Sequence, residues 1–163
     1  ARAGEAGCLS RCCFCGEKAG IGETDSSFSF WVYPVSVSSG YEIVALLTNN
    51  DWIEIRYNSS GQFQIYPARQ SNGTYMSFSA VSKAANNWYN IVITRDSATS
   101  TIKLYIDGSL VETNTSWDGT LTSAASDPNG LGANVSSNTL HFSGKLDQVR
   151  IFDKALSSSE VTT

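Results

Sequence analysis

Trp52, Glu54 and Arg56 recur at every second position in the stretch DWIEIRYNSSGQFQIYP (51–67), and Gln64 and Tyr66 do the same beyond a polar turn. In an extended chain that spacing puts side chains on one face. An aromatic ring that can lie against the C–H face of a sugar, with an amide, a carboxylate and a guanidinium beside it for the hydroxyls, is the chemistry of carbohydrate recognition. These five residues are candidate glycan-binding residues, and Trp117, in the polar run TNTSWDGT, is a sixth. The same residue types also make ordinary cross-strand pairs on a solvated face, the usual unit of sheet stability. Trp117 has local packing as its alternative, since large apolar side chains bury much of their area.

Oxygen donors for Ca2+ are available at Asp25, Asp127, Asn129, Asn134 and Asp147, but no loop spacing of the EF-hand kind joins them. Asp147 has a second use, as a carboxylate bonded to turn amides. The single histidine, His141, alternates with Leu140 and Phe142 as a strand residue would, and no Ser or Cys nucleophile motif surrounds it. General acid–base chemistry needs a positioned pair of groups and none can be named, so an enzyme is not expected. Cys8, Cys12, Cys13 and Cys15 crowd into one short stretch and the rest of the chain has none, which is not a disulfide framework spread over a fold. Adjacent Cys12 and Cys13 cannot easily point at one zinc ion. Free thiols, a local bridge and pairing with a neighbour all stay open.

Composition narrows the class. At 163 residues the chain suits one domain. Only 16% of residues are charged against 41% hydrophobic, with Ser, Thr and Asn making up the difference, a profile of extracellular β proteins. A net charge of -4, with no local basic cluster, argues against nucleic acid as a partner. The longest apolar runs, such as IVALL at 43–47, are too short to cross a bilayer, and no charged start with an apolar stretch marks a signal peptide. The Gly/Ala/Cys opening and the Val161-Thr162-Thr163 end carry the expectation of a piece of a larger protein. N-x-S/T triplets begin at Asn58, Asn72, Asn114 and Asn134, each in a turn-like stretch where a glycan could sit.

The elements that must position these residues are short strands divided by Gly, Asn, Asp and Ser. Strands are predicted over Ser27–Tyr33, Glu42–Leu47, Trp52–Tyr57, Gln62–Tyr66, Tyr75–Ala80, Trp88–Arg95, Thr101–Ile106, Ser109–Thr113 and a final region from Leu140 to Phe152, with a helical turn at Ser157–Val161. Ile53, Ile55 and Tyr57 should share a core face with Phe63 and Ile65 if an odd number of residues forms the turn, with Gly61 in a left-handed position. Ile91 and Ile93 should face the same way as Ile102, Leu104 and Ile106, and Asp107-Gly108 is a hairpin signal. Strands at this spacing make an all-β sandwich or barrel. The polar run from Asn114 to Asn138 is too long for a minimal connector, and binding often resides in such loops.

The ordered set FSFWVYP (28–34), NNWYNIVITRD (86–96), IKLYIDGSLV (102–111), GLGAN (130–134) and GKLDQVRIFDKALSSSEV (144–161) resembles the laminin-G-like family. The resemblance covers about residues 27–161 and implies an all-β, two-sheet antiparallel jelly-roll sandwich of the concanavalin-A-like class. It also implies glycan or protein binding, rim calcium in many members, and core positions for Trp31 and Trp88. Retaining glucanases of the same class carry Glu-x-Asp-x-x-Glu, with two carboxylates on one face. Here Glu54 is followed by Arg56 and no such triplet occurs. The chain departs from the family at its front, where a cysteine cluster replaces the usual first strand.

The expected organisation is therefore a Cys-rich arm or degenerate strand at 1–20 and a sandwich at 21–163, whose edge near the front could pair with another chain. The expected function is a non-catalytic extracellular recognition module, glycan-binding or adhesive, at the cell or virion surface and with no membrane insertion. The alternative is a structural domain of an extracellular filament or virion appendage, held to neighbouring copies. Ca2+ is the one cofactor considered.

Overall fold

The computed structural model describes residues 25–37, 39–47, 53–67, 75–117 and 129–162. Trp52, Asp127, the triplet at Asn72, all four cysteines and the 1–20 arm lie outside the described residues. Among those described, the chain forms β1 (Ser26–Pro34), β2 (Tyr41–Leu47), β3 (Ile53–Asn58), β4 (Gln62–Tyr66), β5 (Val81–Ser82), β6 (Tyr89–Asp96), β7 (Thr101–Ile106), β8 (Ser109–Asn114), β9 (Gly130–Leu131) and β10 (Gly144–Phe152), then a single helical turn, α1 (Ser158–Val161). They pair into two antiparallel sheets, ordered β10-β1-β6-β7-β8 and β5-β4-β3-β2-β9.

Alternation explains the layers. In the first sheet Phe28, Phe30 and Val32 of β1 point inward, level with Ile91 and Ile93 of β6 and then with Ile102, Leu104 and Ile106 of β7. In the second, Ile53, Ile55 and Tyr57 of β3 meet Phe63 and Ile65 of β4. Each such side chain contributes about 1.5–3 kcal/mol by leaving water. Arg95 is the exception on the inner face, 1% exposed, where Nε and Nη2 both donate to the Pro67 carbonyl at 3.1 and 2.9 Å. This ties the end of β6 in one sheet to the end of β4 in the other.

The turns carry the expected chemistry. Tyr57 stands opposite Phe63, so five residues form the β3–β4 turn, with Gly61 at φ 71 and Asn58 Oδ1 accepting from the amides of Ser60 and Gln62. Asp107 and Gly108 are both left-handed, at φ 53 and 75, the backbone a tight hairpin requires. The Asp107 carboxylate also accepts from the Asn90 amide at 2.9 Å, fixing that turn to β6.

Three expectations need correction. Tyr75–Ala80 is not a strand: the Phe78 amide bonds Ile65 of the second sheet while the Ser79 amide bonds the Glu112 carboxylate of the first. The segment closes the core with Met76 and Phe78 by bridging the sheets, so it cannot extend either ladder. The last strand begins at Gly144, because Leu140 is left-handed at φ 55 and His141 makes only an isolated bridge to Ile43. Finally, the long polar run contributes β9, which pairs with β2 through Ala45 and Leu46.

The outer face of the first sheet is half covered by the chain's own end. Ser27 Oγ donates to the Lys154 carbonyl at 2.8 Å and accepts the Leu156 amide at 2.9 Å. Further on, Thr162 reaches the Gly108 turn. On the sheet between these two anchor points Val92, Thr94 and Tyr105 face outward yet are no more than 3% exposed. Ser157 and Glu160 make a reciprocal capping box that closes α1.

Candidate functional site

The outward residues of β3 and β4 form the mixed face the alternation predicts, with Glu54 opposite Tyr66 and Arg56 opposite Gln64. A bulge between Ile43 and Ala45 shifts the register of β2, so that Ile43 stands opposite Arg56 and Tyr41 opposite Asn58. This brings Tyr41 to the same face. The Arg56 guanidinium then sits between two phenol rings, 4.2 Å from the centre of Tyr41 and 4.9 Å from that of Tyr66.

Its Nε donates to Glu54 Oε1 at 2.6 Å, and Glu54 is 8% exposed. Partial burial works against the Arg56 charge, but the bonded Glu54 carboxylate and the two phenols outweigh it and raise the pKa above the ordinary value. Among the described residues both Nη groups lack a hydrogen-bond partner. The arrangement is a rigid planar donor framed by aromatic rings and flanked by the Gln64 amide, able to offer paired N–H groups to vicinal hydroxyls or a carboxylate.

Tyr41 was not foreseen as part of this face. It lies one residue before the predicted strand, and its contact with Arg56 depends on a bulge that leaves no mark on the alternation.

Other candidates are placed elsewhere. Trp117 is 2% exposed and belongs to the core, so the polar loop delivers it inward to bury its indole and it cannot be a contact surface. Trp31 and Trp88 are the converse: at 37% and 42% exposed they are surface residues, not core. With Phe28, Phe30 and Val32 inward on β1, Trp31 must point out, and Trp88 packs on outward-facing Tyr33 with ring centres 5.5 Å apart. Strict alternation in FSFWVYP carries that signal.

The proposed calcium donors are dispersed. Asp25 Oδ1 accepts from the Ser97 amide at 2.8 Å and its hydroxyl at 2.7 Å, and these bonds lower its pKa. Asp147 accepts from the Gln148 amide at 2.7 Å and stands opposite Trp31, about 20 Å along β1 from Asp25 at strand rise. Asn129 precedes β9 in the other sheet, and Asn134 Oδ1 accepts from the Ser137 amide. Among the described residues no three His, Cys, Asp or Glu side chains gather to hold a metal. His141 is exposed, its Nε2 3.1 Å from the Asn138 carbonyl.

Several known structures share this architecture. The CBM40 module of the Ruminococcus gnavus IT-sialidase, bound to α2,3 sialyllactose, superposes with a TM-score of 0.68 at 10% identity, over 87% of this chain and 83% of that one. Domain 4 of an extracellular arabinanase from Geobacillus stearothermophilus, in complex with arabinotriose, gives 0.64 at 21% identity, over 88% and 68%. The binding domain of botulinum neurotoxin serotype D gives 0.62 at 20% identity, over 85% of this chain but only 35% of that one. Comparison with curated protein sequences finds no match. A family model for laminin-G-like domains of the concanavalin A-like lectin/glucanase superfamily matches residues 16–162, nearly the whole chain and both sheets of the sandwich, and the chain belongs to that family.

Proposed function

We propose that this domain is a non-catalytic carbohydrate-recognition module, working within a larger extracellular protein, and that it contacts its glycan through the outer face of the second sheet. The observation that carries the reading is Arg56, immobilised between Tyr41 and Tyr66 with its Nη donors unengaged among the described residues. A site held rigid before binding loses little side-chain entropy when a sugar arrives. Tyr41 and Tyr66 supply apolar faces, and Gln64 and Glu54 supply acceptors. Glu54 is already bonded to a guanidinium, which suits an orienting role and not that of a proton donor. The sialyllactose and arabinotriose held by two structures of the same fold support a sugar as the ligand class.

The test is a glycan array probed with the domain, in calcium and in chelator, beside Tyr66→Ala and Arg56→Gln variants. Selective binding that both variants lose supports the site. Binding that neither variant alters removes it, and silence from a folded sample transfers the domain to a structural role in an extracellular assembly.

A further inference from the structure

The half of the first sheet's outer face that the C-terminal segment leaves open carries a second aromatic surface. Trp31, in the middle of β1, stands opposite Asn90 of β6 and Asp147 of β10. In the next row Tyr33 packs against Trp88 and lies opposite Lys145, whose Nζ is 5.1 Å from its ring centre. Trp88 is diagonal to Trp31, a separation of about 7–8 Å between backbones, within reach of two indoles. Both indoles remain more than a third exposed, although β1 is an interior strand with a neighbour on each side.

We propose that Trp31, Tyr33 and Trp88 form a second saccharide-binding platform, on the face opposite the Arg56 site, for a neutral linear oligosaccharide. The proposal rests on the carbohydrate reading of the domain and adds a separate surface to it. Size argues for a sugar over a protein. An aromatic side chain offers about 150–250 Å2 in all, and with these exposures the rings present roughly a few hundred Å2, well short of the ~800 Å2 that each side of a stable protein interface needs. Polar groups fall where hydroxyls would lie beside a stacked ring. The Asn90 Nδ2 donates to the Phe30 carbonyl at 3.3 Å, leaving Oδ1 as an acceptor, while Asp147 and Lys145 add an acceptor and a donor. Their opposite charges stand two residues apart on β10 and offset one another, which favours a neutral chain over an acidic one. The platform lies on an open sheet, so it suits ring faces along a chain and not a chain end inserted in a pocket.

The experiment titrates the domain with cellohexaose, xylohexaose and arabinohexaose while following the indole N–H resonances of its tryptophans by NMR. It is repeated on Trp31→Ala, Trp88→Ala and Arg56→Gln, each checked for wild-type unfolding cooperativity. The expected result is that one hexasaccharide shifts the Trp31 and Trp88 signals, that either alanine variant weakens its binding at least tenfold, and that Arg56→Gln changes it less than twofold. Binding abolished by Arg56→Gln and untouched by the alanine variants overturns the platform while leaving the proposed function standing. No shift with any of the three sugars overturns the platform. Concentration-dependent Trp31 and Trp88 shifts without sugar, removed together with self-association in Trp31→Ala, also overturn it, in favour of a contact between copies.

Discussion

Arg56 Nε and Glu54 Oε1 are 2.6 Å apart on the outward face of β3, so this carboxylate serves as the anchor of a cation. The pair is partly buried, with side-chain exposures of 24% for Arg56 and 10% for Glu54. Removing one partner leaves the other charged and short of solvent.

Arg56→Ala is expected to destabilise the domain by about 1–3 kcal/mol, from the lost bond to Glu54 and the two lost ring contacts. Arg56→Lys should not restore either stability or binding, because an ammonium lacks the plane that packs between Tyr41 and Tyr66. Urea unfolding checks the first part and a glycan titration the second; full rescue by lysine would show that only the charge matters.

The tryptophans should separate by burial. Trp117→Ala is expected to cost about 3–5 kcal/mol, as for an aromatic deleted from a core. Trp88→Ala, which loses mainly the tilted contact with Tyr33, should cost about 1 kcal/mol. Equal midpoints for the two variants in thermal unfolding would contradict the placement of Trp117.

Glu160 governs the pH response of the C-terminal segment. Its bond from Lys154, then those from the Ser157 amide and hydroxyl, hold its pKa down at about 2 from an ordinary 4.5. A depressed carboxylate stabilises above the unfolded pKa and loses that contribution as pH falls through the folded one. Protection of the amides at Ser157–Val161, relative to the intrinsic exchange rate at each pH, should therefore be greatest above pH 4.5 and decline progressively between 4.5 and 2. Asp25, lowered by its bonds from Ser97, acts in the same direction at the β6–β7 turn. Glu160→Gln should flatten the response in α1 and leave that at Ser97 unchanged; protection in α1 independent of pH in the wild type would refute the assignment.

Gly144 begins β10 where β1 ends, opposite Pro34. A Cβ there would run into the Tyr33 carbonyl and the Phe142 ring. The carbonyl belongs to the sheet backbone and cannot turn aside, so Gly144→Ala should cost at least about 1–3 kcal/mol and loosen the pairing of β1 with β10. Hydrogen exchange at Lys145 and Leu146 reports this; wild-type protection would show that the two strands can part without loss.

The period-two pattern of apolar residues sufficed to assign the two inner faces and the outward set Glu54, Arg56, Gln64 and Tyr66, given an odd number of residues in the β3–β4 turn, and turn chemistry marked the Asp107-Gly108 hairpin. These are properties of neighbouring residues in one strand or one hairpin, and pleating alone enforces them. The ordered motifs from FSFWVYP to the Ala-Leu-Ser turn pointed to the family for the same reason, since each motif is local. What covers a face, and which candidates meet, is not local. Trp117, set among polar neighbours, joins the core through packing with residues of both sheets. Val92, Thr94 and Tyr105 are buried although they face outward, on the sheet face where Ser27 holds a segment more than a hundred residues away. Tyr41 joins Arg56 through a bulge, and Asp25, Asn129 and Asp147 end apart because Asp25 precedes β1, Asp147 pairs six residues further along that strand, and Asn129 precedes β9 in the other sheet. Those outcomes depend on pairings across large sequence separations, whose energies come from contacts that no single segment contains.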